Sequence, residues 1–404
     1  MKTKTNKFPS LQVLLSCLFL AAGLLSIFVP AQARNQTAEK KAESEAKATE
    51  EKTSSFTFVG VGDNLIHETL YYFQDPGSYD MKPYYENTRA YTEAADLAYI
   101  NFETVCAGEE FGLSGYPSFN GPTEIIDAVA SQGFDWLSLA SNHSLDVGQA
   151  GLTAELDYIH NNYPDITTSG SFRTAEEEAA PIVIDVNGIK VGLCTFTYGL
   201  NGYMKPEGAD WLVDVYRNDD GTINYDLMKQ KLDALQDKSD VQFVSMHWGD
   251  EYVTTVTDEQ REIADWLNQQ GVEVIIGTHP HVIEPVEMIK GEKQDTLCYF
   301  SLGNFISAQD DNTRMVGGMA DFTLNYDFNT KKTTFSDVKF IPTVTWVSAD
   351  TTDYRTNTIH EYTDEMGATS YVTALTGQDM SKQWVIDYVK SVMGEPEGIE
   401  IVYD

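Results

Sequence analysis

The chain has 404 residues and carries 27 Lys and Arg against 62 Asp and Glu, a net charge of −35 at pH 7. A surface this acidic repels nucleic acid and anionic lipid, so no nucleic-acid partner is expected. The length allows one large or two ordinary domains with a sizeable core. Few arginines or lysines stand beside the motifs described below. An anionic substrate would therefore find its positive charge in bound divalent cations.

Lys2, Lys4 and Lys7 precede an apolar run from about Leu11 to Val29, which ends at Pro30-Ala31-Gln32-Ala33. A basic start, an apolar core and an A-x-A-like site are the layout of a secretory signal. The run is also long enough to stay as an uncleaved anchor. Residues 1–33 are thus read as signal peptide or signal anchor. Both readings place the body outside the cytoplasm, secreted or held on the outer face of the cytoplasmic membrane. Cys17 lies within the apolar run, and Cys106, Cys194 and Cys298 show no C-x-x-C spacing, so no metal knuckle is expected. Residues 34–54 mix both charges without glycine, proline or aromatic residues and read as a solvated linker.

The folded part opens with a strand, Phe56 to Val61, that runs into Gly62-Asp63 and, four residues on, His67. Asp96 to Ile100 reads as the next strand and ends in Asn101-Phe102-Glu103. Thr123 to Gln132 has helical spacing. The strand Phe134 to Leu139 delivers Asn142-His143 and Asp146, and a helix follows from Gly151 to Asn161. Three strands ending in ligand-type residues are what a crevice along a sheet's carboxyl edge requires. Ile182–Val186 and Ile189–Phe196 flank Asn187-Gly188, a hairpin signal. A helix over Asp226–Leu235 leads to the strand Val241–Met246, which delivers His247. Thr257 and Gln260 are spaced as a capping box for a helix to Gln270. The strand Val272–Ile276, broken by Gly277, leads to His279-Pro280-His281; in extended backbone the two imidazoles would point to one side. Strands then dominate (Ile283–Ile289, Thr296–Leu302, Met319–Tyr326, Thr333–Ile341), and a last helix spans Ser381–Met393.

Seven histidines occur, and five of them (His67, His143, His247, His279, His281) directly follow predicted strands. Independent surface roles would scatter them, so their shared position favours a metal site. His160 and His360 read as structural.

The ordered set Gly62-Asp63, Asn101-Phe102-Glu103, Ser141-Asn142-His143-Ser144-Leu145-Asp146-Val147-Gly148, His247-Trp248-Gly249, Glu251-Tyr252, Gly277-Thr278-His279-Pro280-His281-Val282 and Tyr299 to Phe305 resembles the CapA family. Its members, also called PgsA, take part in poly-γ-glutamate capsule synthesis and export. The family is similar to calcineurin-like metallophosphatases. The resemblance therefore implies an α/β (α+β) fold, a two-sheet β-sandwich flanked by helices in four αββα layers. It assigns that domain to residues 55–347, leaving 348–404 as a C-terminal extension with a terminal helix.

The resemblance also implies a centre of two divalent metal ions (Mn, Zn or Fe) held by Asp63, Glu103, Asn142, His247, His279 and His281, with Glu103 as the bridge. His143 would protonate a leaving group and Asp146 would orient it. The partners implied are poly-γ-glutamate or a phosphorylated or acyl intermediate, with membrane-bound capsule synthesis proteins. Two departures stand out: His67 lies four residues after Asp63 where better-known metallophosphatases have Asp-x-His, and Glu103 replaces a bridging Asp. A general envelope phosphoesterase, or a binding protein that keeps the pocket without turnover, are the competing readings.

Overall fold

The computed structural model describes residues 52–404. The signal or anchor segment and most of the linker lie outside the described residues. Among the described residues no helix is long and apolar enough to cross a membrane.

In chain order the strands are β1 (Thr53–Asn64), β2 (Leu97–Asn101), β3 (Trp136–Ser138), β4 (Thr167–Ser169), β5 (Ile182–Val186), β6 (Ile189–Thr197), β7 (Val241–His247) and β8 (Val274–Thr278). They continue with β9 (Ile283–Ile289), β10 (Thr296–Leu302), β11 (Asn304–Ile306), β12 (Val316–Asp327), β13 (Lys332–Val347), β14 (Tyr354–Thr358) and β15 (Glu400–Ile401). Two mixed sheets result. One has the order β14-β13-β12-β1-β2-β3-β4, with β11 beside β1 and β15 beside β13; the other is β5-β6-β7-β8-β10-β9. In the first sheet β14-β13-β12-β1 are antiparallel and β1-β2-β3-β4 parallel. In the second β6-β7-β8-β10 are parallel with an antiparallel strand at each edge. The parallel runs β2-β3-β4 and β6-β7-β8 are joined by crossover helices. Those helices are Glu124–Ala130, Gly148–Asn162, Tyr225–Gln236 and Asp258–Gln270.

The sheets face each other across an aromatic core. Phe58 of β1 stacks on Phe322 of β12 with centroids 4.8 Å apart, and Phe243 of β7 meets Phe58 edge-on at 5.5 Å. Polar contacts join the layers as well: Tyr99 and Ser245 share a hydrogen bond of 2.6 Å, as do Ser169 and Thr195. On the far side of the second sheet, Val244, Ile275 and Cys298 pack against Met228, Leu232, Ile263 and Leu267 of its two helices. That alternation of Phe243 inward and Val244 outward is the period of two that a doubly covered strand shows.

The hairpin runs as expected, with Val186 opposite Ile189 and both Asn187 (φ 54°) and Gly188 (φ 84°) left-handed. The capping box at Thr257 and Gln260 is formed on both sides. Other expectations shift. β1 begins at Thr53, inside the segment read as linker, because Thr53 pairs with Asp327 of β12. β4 and the helix Ala175–Ala179 are additional. Gly277 does not break its strand. β8 continues to Thr278, and a Cβ at 277 would lie 1.8 Å from the Phe300 carbonyl oxygen, so glycine lets the strand pass over β10.

Three further carboxyls, Glu155, Glu273 and Glu284, are buried. Glu155 accepts from the Cys106 N–H at 2.7 Å, and burial pushes its carboxyl up to about 8; Glu273 and Glu284 are pushed up similarly. A raised folded pKa means that the folded chain binds the extra proton between about pH 4.3 and 8, so its stability falls as pH rises through that window. Glu155→Gln should flatten part of that loss: urea midpoints at about pH 6 and about pH 9 should differ less in the variant than in the native chain. An unchanged difference would show that Glu155 does not hold a proton.

Candidate metal centre

Five strands bring their carboxyl-side residues to one place. Asp63 ends β1, Glu103 follows β2, Asn142 and His143 follow β3, His247 ends β7, and His279 and His281 follow β8. Asn304 opens β11 beside Asp63. All are buried, Asp63 and His247 completely and Glu103 to 1 % exposure.

The loop after β3 clasps the loop after β2. Ser141 Oγ donates to the Glu103 carbonyl at 2.9 Å and accepts from the His143 N–H. Asp63 is held from three sides. Asn101 Nδ2 donates to its Oδ1 at 2.8 Å, the His279 N–H points at both oxygens at 3.3 Å, and His281 Nδ1 lies 3.0 Å from Oδ2. Asn304 Oδ1 lies 3.0 Å from the same His281 nitrogen.

The two histidines do not converge through extended backbone. His279 (φ 96°) and His281 (φ 58°) are both left-handed around Pro280, so a tight turn, not a strand, aims the rings. The ring centroids of His247 and His279 are 4.8 Å apart, and those of His279 and His281 are 5.7 Å apart. Tyr198 packs against His279 at 4.6 Å and lies parallel to His247.

Two groups of side chains have ligand atoms within 4.8 Å of one another and could each hold a metal ion: Glu103 with His279 and His281, and Glu103 with Asp63 and His247. Glu103 belongs to both. Its two carboxylate oxygens are buried with no hydrogen-bond partner, and His279 Nδ1 is likewise unpartnered. Orphaned buried acceptors of this kind call for a missing positive partner. A set of carboxylate oxygens and imidazole nitrogens suits zinc, manganese or iron. The residues therefore fit a divalent ion. Asn142 stands beside them, with its Oδ1 2.9 Å from His247 Nε2. His67 belongs to neither group, and its ring sits edge-on to Phe119 at 5.3 Å.

Protonation follows the same geometry. Burial, with the neighbouring histidines, holds His247 and His279 well below the usual imidazole value, so both are neutral as metal ligation requires. Burial pushes Glu103 up, reinforced by Asp63 and Glu251 and opposed by His281. Burial would lower His281 too, but the Glu103 and Asp63 carboxylates outweigh it and lift the ring to about 9. His143 Nδ1 lies 2.7 Å from Asp146 Oδ2, which also accepts the Phe119 N–H at 2.6 Å.

Asn101, Thr278 (3.0 Å from His247 Nδ1) and Asn304 lie inside the quoted motifs, yet nothing in their spacing marked them as supports. Tyr198, Asn201, Arg217 and Arg314 sit in segments with no motif. The two arginines correct the expectation that little positive charge stands near the centre. Arg217 lies over Tyr198 (5.4 Å) and Arg314 over Tyr252 (3.7 Å), each beside a histidine.

Residues 57–309 match the family model described as bacterial capsule synthesis protein PGA_cap. The chain belongs to this family. Among curated relatives it is similar to the PGA biosynthesis protein CapA of Bacillus subtilis (strain 168), with 27 % identity over 188 residues, 46 % of each chain. It is also similar to the capsule biosynthesis protein CapA of Bacillus anthracis, with 26 % identity over 200 residues, 46 % of this chain and 43 % of that one. The match thus spans under half the length of these relatives. Among solved structures, a novel phosphatase from Mycoplasma pneumoniae is similar with a TM-score of 0.42 and 13 % identity, over 72 % of this chain and 94 % of that one.

Glu103→Gln should leave the metal-free chain within about 1 kcal/mol of its native stability, because it replaces a carboxyl with no hydrogen bond and only long contacts to His247 and His281. The same variant should lose the rise in Tm that manganese or zinc gives the native chain. A retained rise in scanning calorimetry would remove Glu103 from the ligands. Binding should also expel the His281 proton, so affinity rises as pH climbs toward about 9. Titration calorimetry in two buffers of different ionisation enthalpy counts the protons released, and His281→Asn should release fewer.

Proposed function

We propose that this chain acts outside the cytoplasm in poly-γ-glutamate capsule synthesis or export, through a divalent metal centre that handles the polymer or a phosphorylated or acyl intermediate of it. The names of the two relatives support the pathway, and the basic start, apolar run and Ala31-Gln32-Ala33 of the sequence favour the compartment. The observation that carries the chemistry is Glu103, common to both ligand groups with neither oxygen hydrogen-bonded. Membrane-bound proteins of the same pathway are the partners this reading implies.

Asp63, Glu103, His247, His279 and His281 would hold the metal, and Asn142 would stand beside His247 as a sixth ligand. A divalent pair supplies Lewis acidity at a phosphoryl or acyl oxygen and lowers the pKa of a bound water. The chain's own contribution is orientation and proton handling. Asp63 is kept in place by Asn101, His247 by Thr278, and His281 by Asn304. Asp146 accepts from His143 Nδ1–H, which fixes one tautomer and leaves Nε2 to exchange a proton with a leaving group. Phe119 packs edge-on against the His143 ring at 4.7 Å and its N–H anchors Asp146, so the dyad is rigid before substrate arrives.

His143→Gln should leave folding and metal content intact and lower turnover of a chromogenic phosphoester by about 10²- to 10⁴-fold, the scale of a lost general acid. Unchanged turnover, or loss of metal together with activity, would reject the role. Metal bound without turnover of any phosphoester or acyl substrate would favour the non-catalytic reading. Fractionation provides the compartment test: recovery of the native chain from the cytoplasm would overturn export.

A further inference from the structure

Among the described residues the chain has six arginines, and five meet a carboxylate: Arg89, Arg173, Arg217, Arg261 and Arg355, at 2.6 to 3.2 Å. Arg314 forms no ion pair among them, in a chain with 62 acidic residues to choose from. Asp311 and Glu251 lie near enough to act on this segment electrostatically, yet neither reaches the guanidinium.

Arg314 is nevertheless fixed in place. Its guanidinium lies over the Tyr252 ring at 3.7 Å, and that ring is 6.0 Å from His281. The Arg314 carbonyl accepts from Asn304 Nδ2 at 2.9 Å, and Asn304 Oδ1 faces His281 Nδ1. Tyr252 in turn is held by its N–H on the Pro280 carbonyl at 2.7 Å, between the two histidines. Side chain and main chain of Arg314 are thus both tied to the His279–His281 turn. Its Nε is buried with no partner. Stacking occupies the face of a guanidinium and leaves its in-plane N–H groups available, which is the geometry that grips an oxyanion in bidentate fashion.

We propose that Arg314, carried on Tyr252, seats an anionic oxygen group of the substrate, a phosphoryl or a carboxylate, beside the metal centre, and so selects for anionic substrates. This rests on the metal-site reading and deepens it. The alternative is an arginine that only packs against Tyr252.

The test titrates inorganic phosphate and glutarate into the full chain, with and without manganese, while elemental analysis follows metal content. In Arg314→Gln, binding of the preferred anion should weaken by about 10- to 100-fold, the scale of a lost charge-assisted hydrogen bond, with metal content unchanged. Arg314→Lys should recover part of it, since lysine keeps the charge but not the fork. Tighter phosphate than glutarate identifies a phosphoryl group, and the reverse a carboxylate. Equal affinity in the native chain and Arg314→Gln overturns the inference, whether or not manganese is bound. A native chain that binds manganese but neither anion below about 10 mM overturns it as well. A native chain that binds no metal overturns the metal-site reading instead, and the metal-free titration then decides Arg314 alone.

Discussion

Asp63 and Glu103 place two carboxyl groups in a region closed to solvent, where an uncompensated negative charge is expensive. Asp63 is compensated by Asn101, by the His279 N–H and by His281. Glu103 is held less closely: neither oxygen is hydrogen-bonded, and its Oε1 has only longer contacts, 3.7 Å to His247 Nε2 and 3.6 Å to His281 Nε2. A carboxyl in that position must keep its proton or face a cation. The rest of the centre follows from this constraint, since the surrounding imidazoles are either held neutral by burial or, like His281, charged only as counter-ion to the carboxylates.

The fold supplies the meeting point. Parallel strands in both sheets deliver their carboxyl ends to one edge of the sandwich, so residues 218 positions apart, Asp63 and His281, come within hydrogen-bond distance. Close passage of the backbone at that edge depends on two glycines without Cβ atoms. One at 62 would clash with the Gly303 carbonyl at 1.9 Å, and one at 277 with that of Phe300. The Asp63 N–H uses the resulting approach to bond the Gly303 carbonyl at 2.9 Å, which fixes where the carboxylate stands.

Much of this was legible in the sequence, because local chemistry and local pattern coincide there. Asn187-Gly188 can only be a tight hairpin, and Thr257 with Gln260 can only cap a helix start, so those elements fall where they were expected. Asp63, Glu103, His247, His279 and His281 could be grouped because each is a ligand-type residue at a strand end, and strand ends share an edge. What stayed hidden depends on non-local pairing. β4 is three residues long and is defined by its register on β3, and β11 by its pairing with the end of β1. The extension of β8 through Gly277 depends on the carbonyl of Phe300 in another strand. Arg314 carries no pattern at all; its place over Tyr252 and its lack of an ion pair set it apart only in three dimensions.

The turn that carries the two histidines shows how the centre is held ready. His279 and His281 adopt positive φ values that cost a non-glycine residue on the order of 1–3 kcal/mol each. Tyr252, at φ 66°, adds a third on the facing loop, and its N–H closes onto the Pro280 carbonyl between them. Such strain persists only where surrounding contacts over-determine it. Here those contacts are the His279 N–H on Asp63, the His281 ring between Asp63 and Asn304, and the Tyr252–Pro280 bond. Relaxing either histidine to ordinary backbone would turn its imidazole away from Glu103. The strain is therefore a consequence of keeping the nitrogen donors convergent on a carboxylate that has no hydrogen bond.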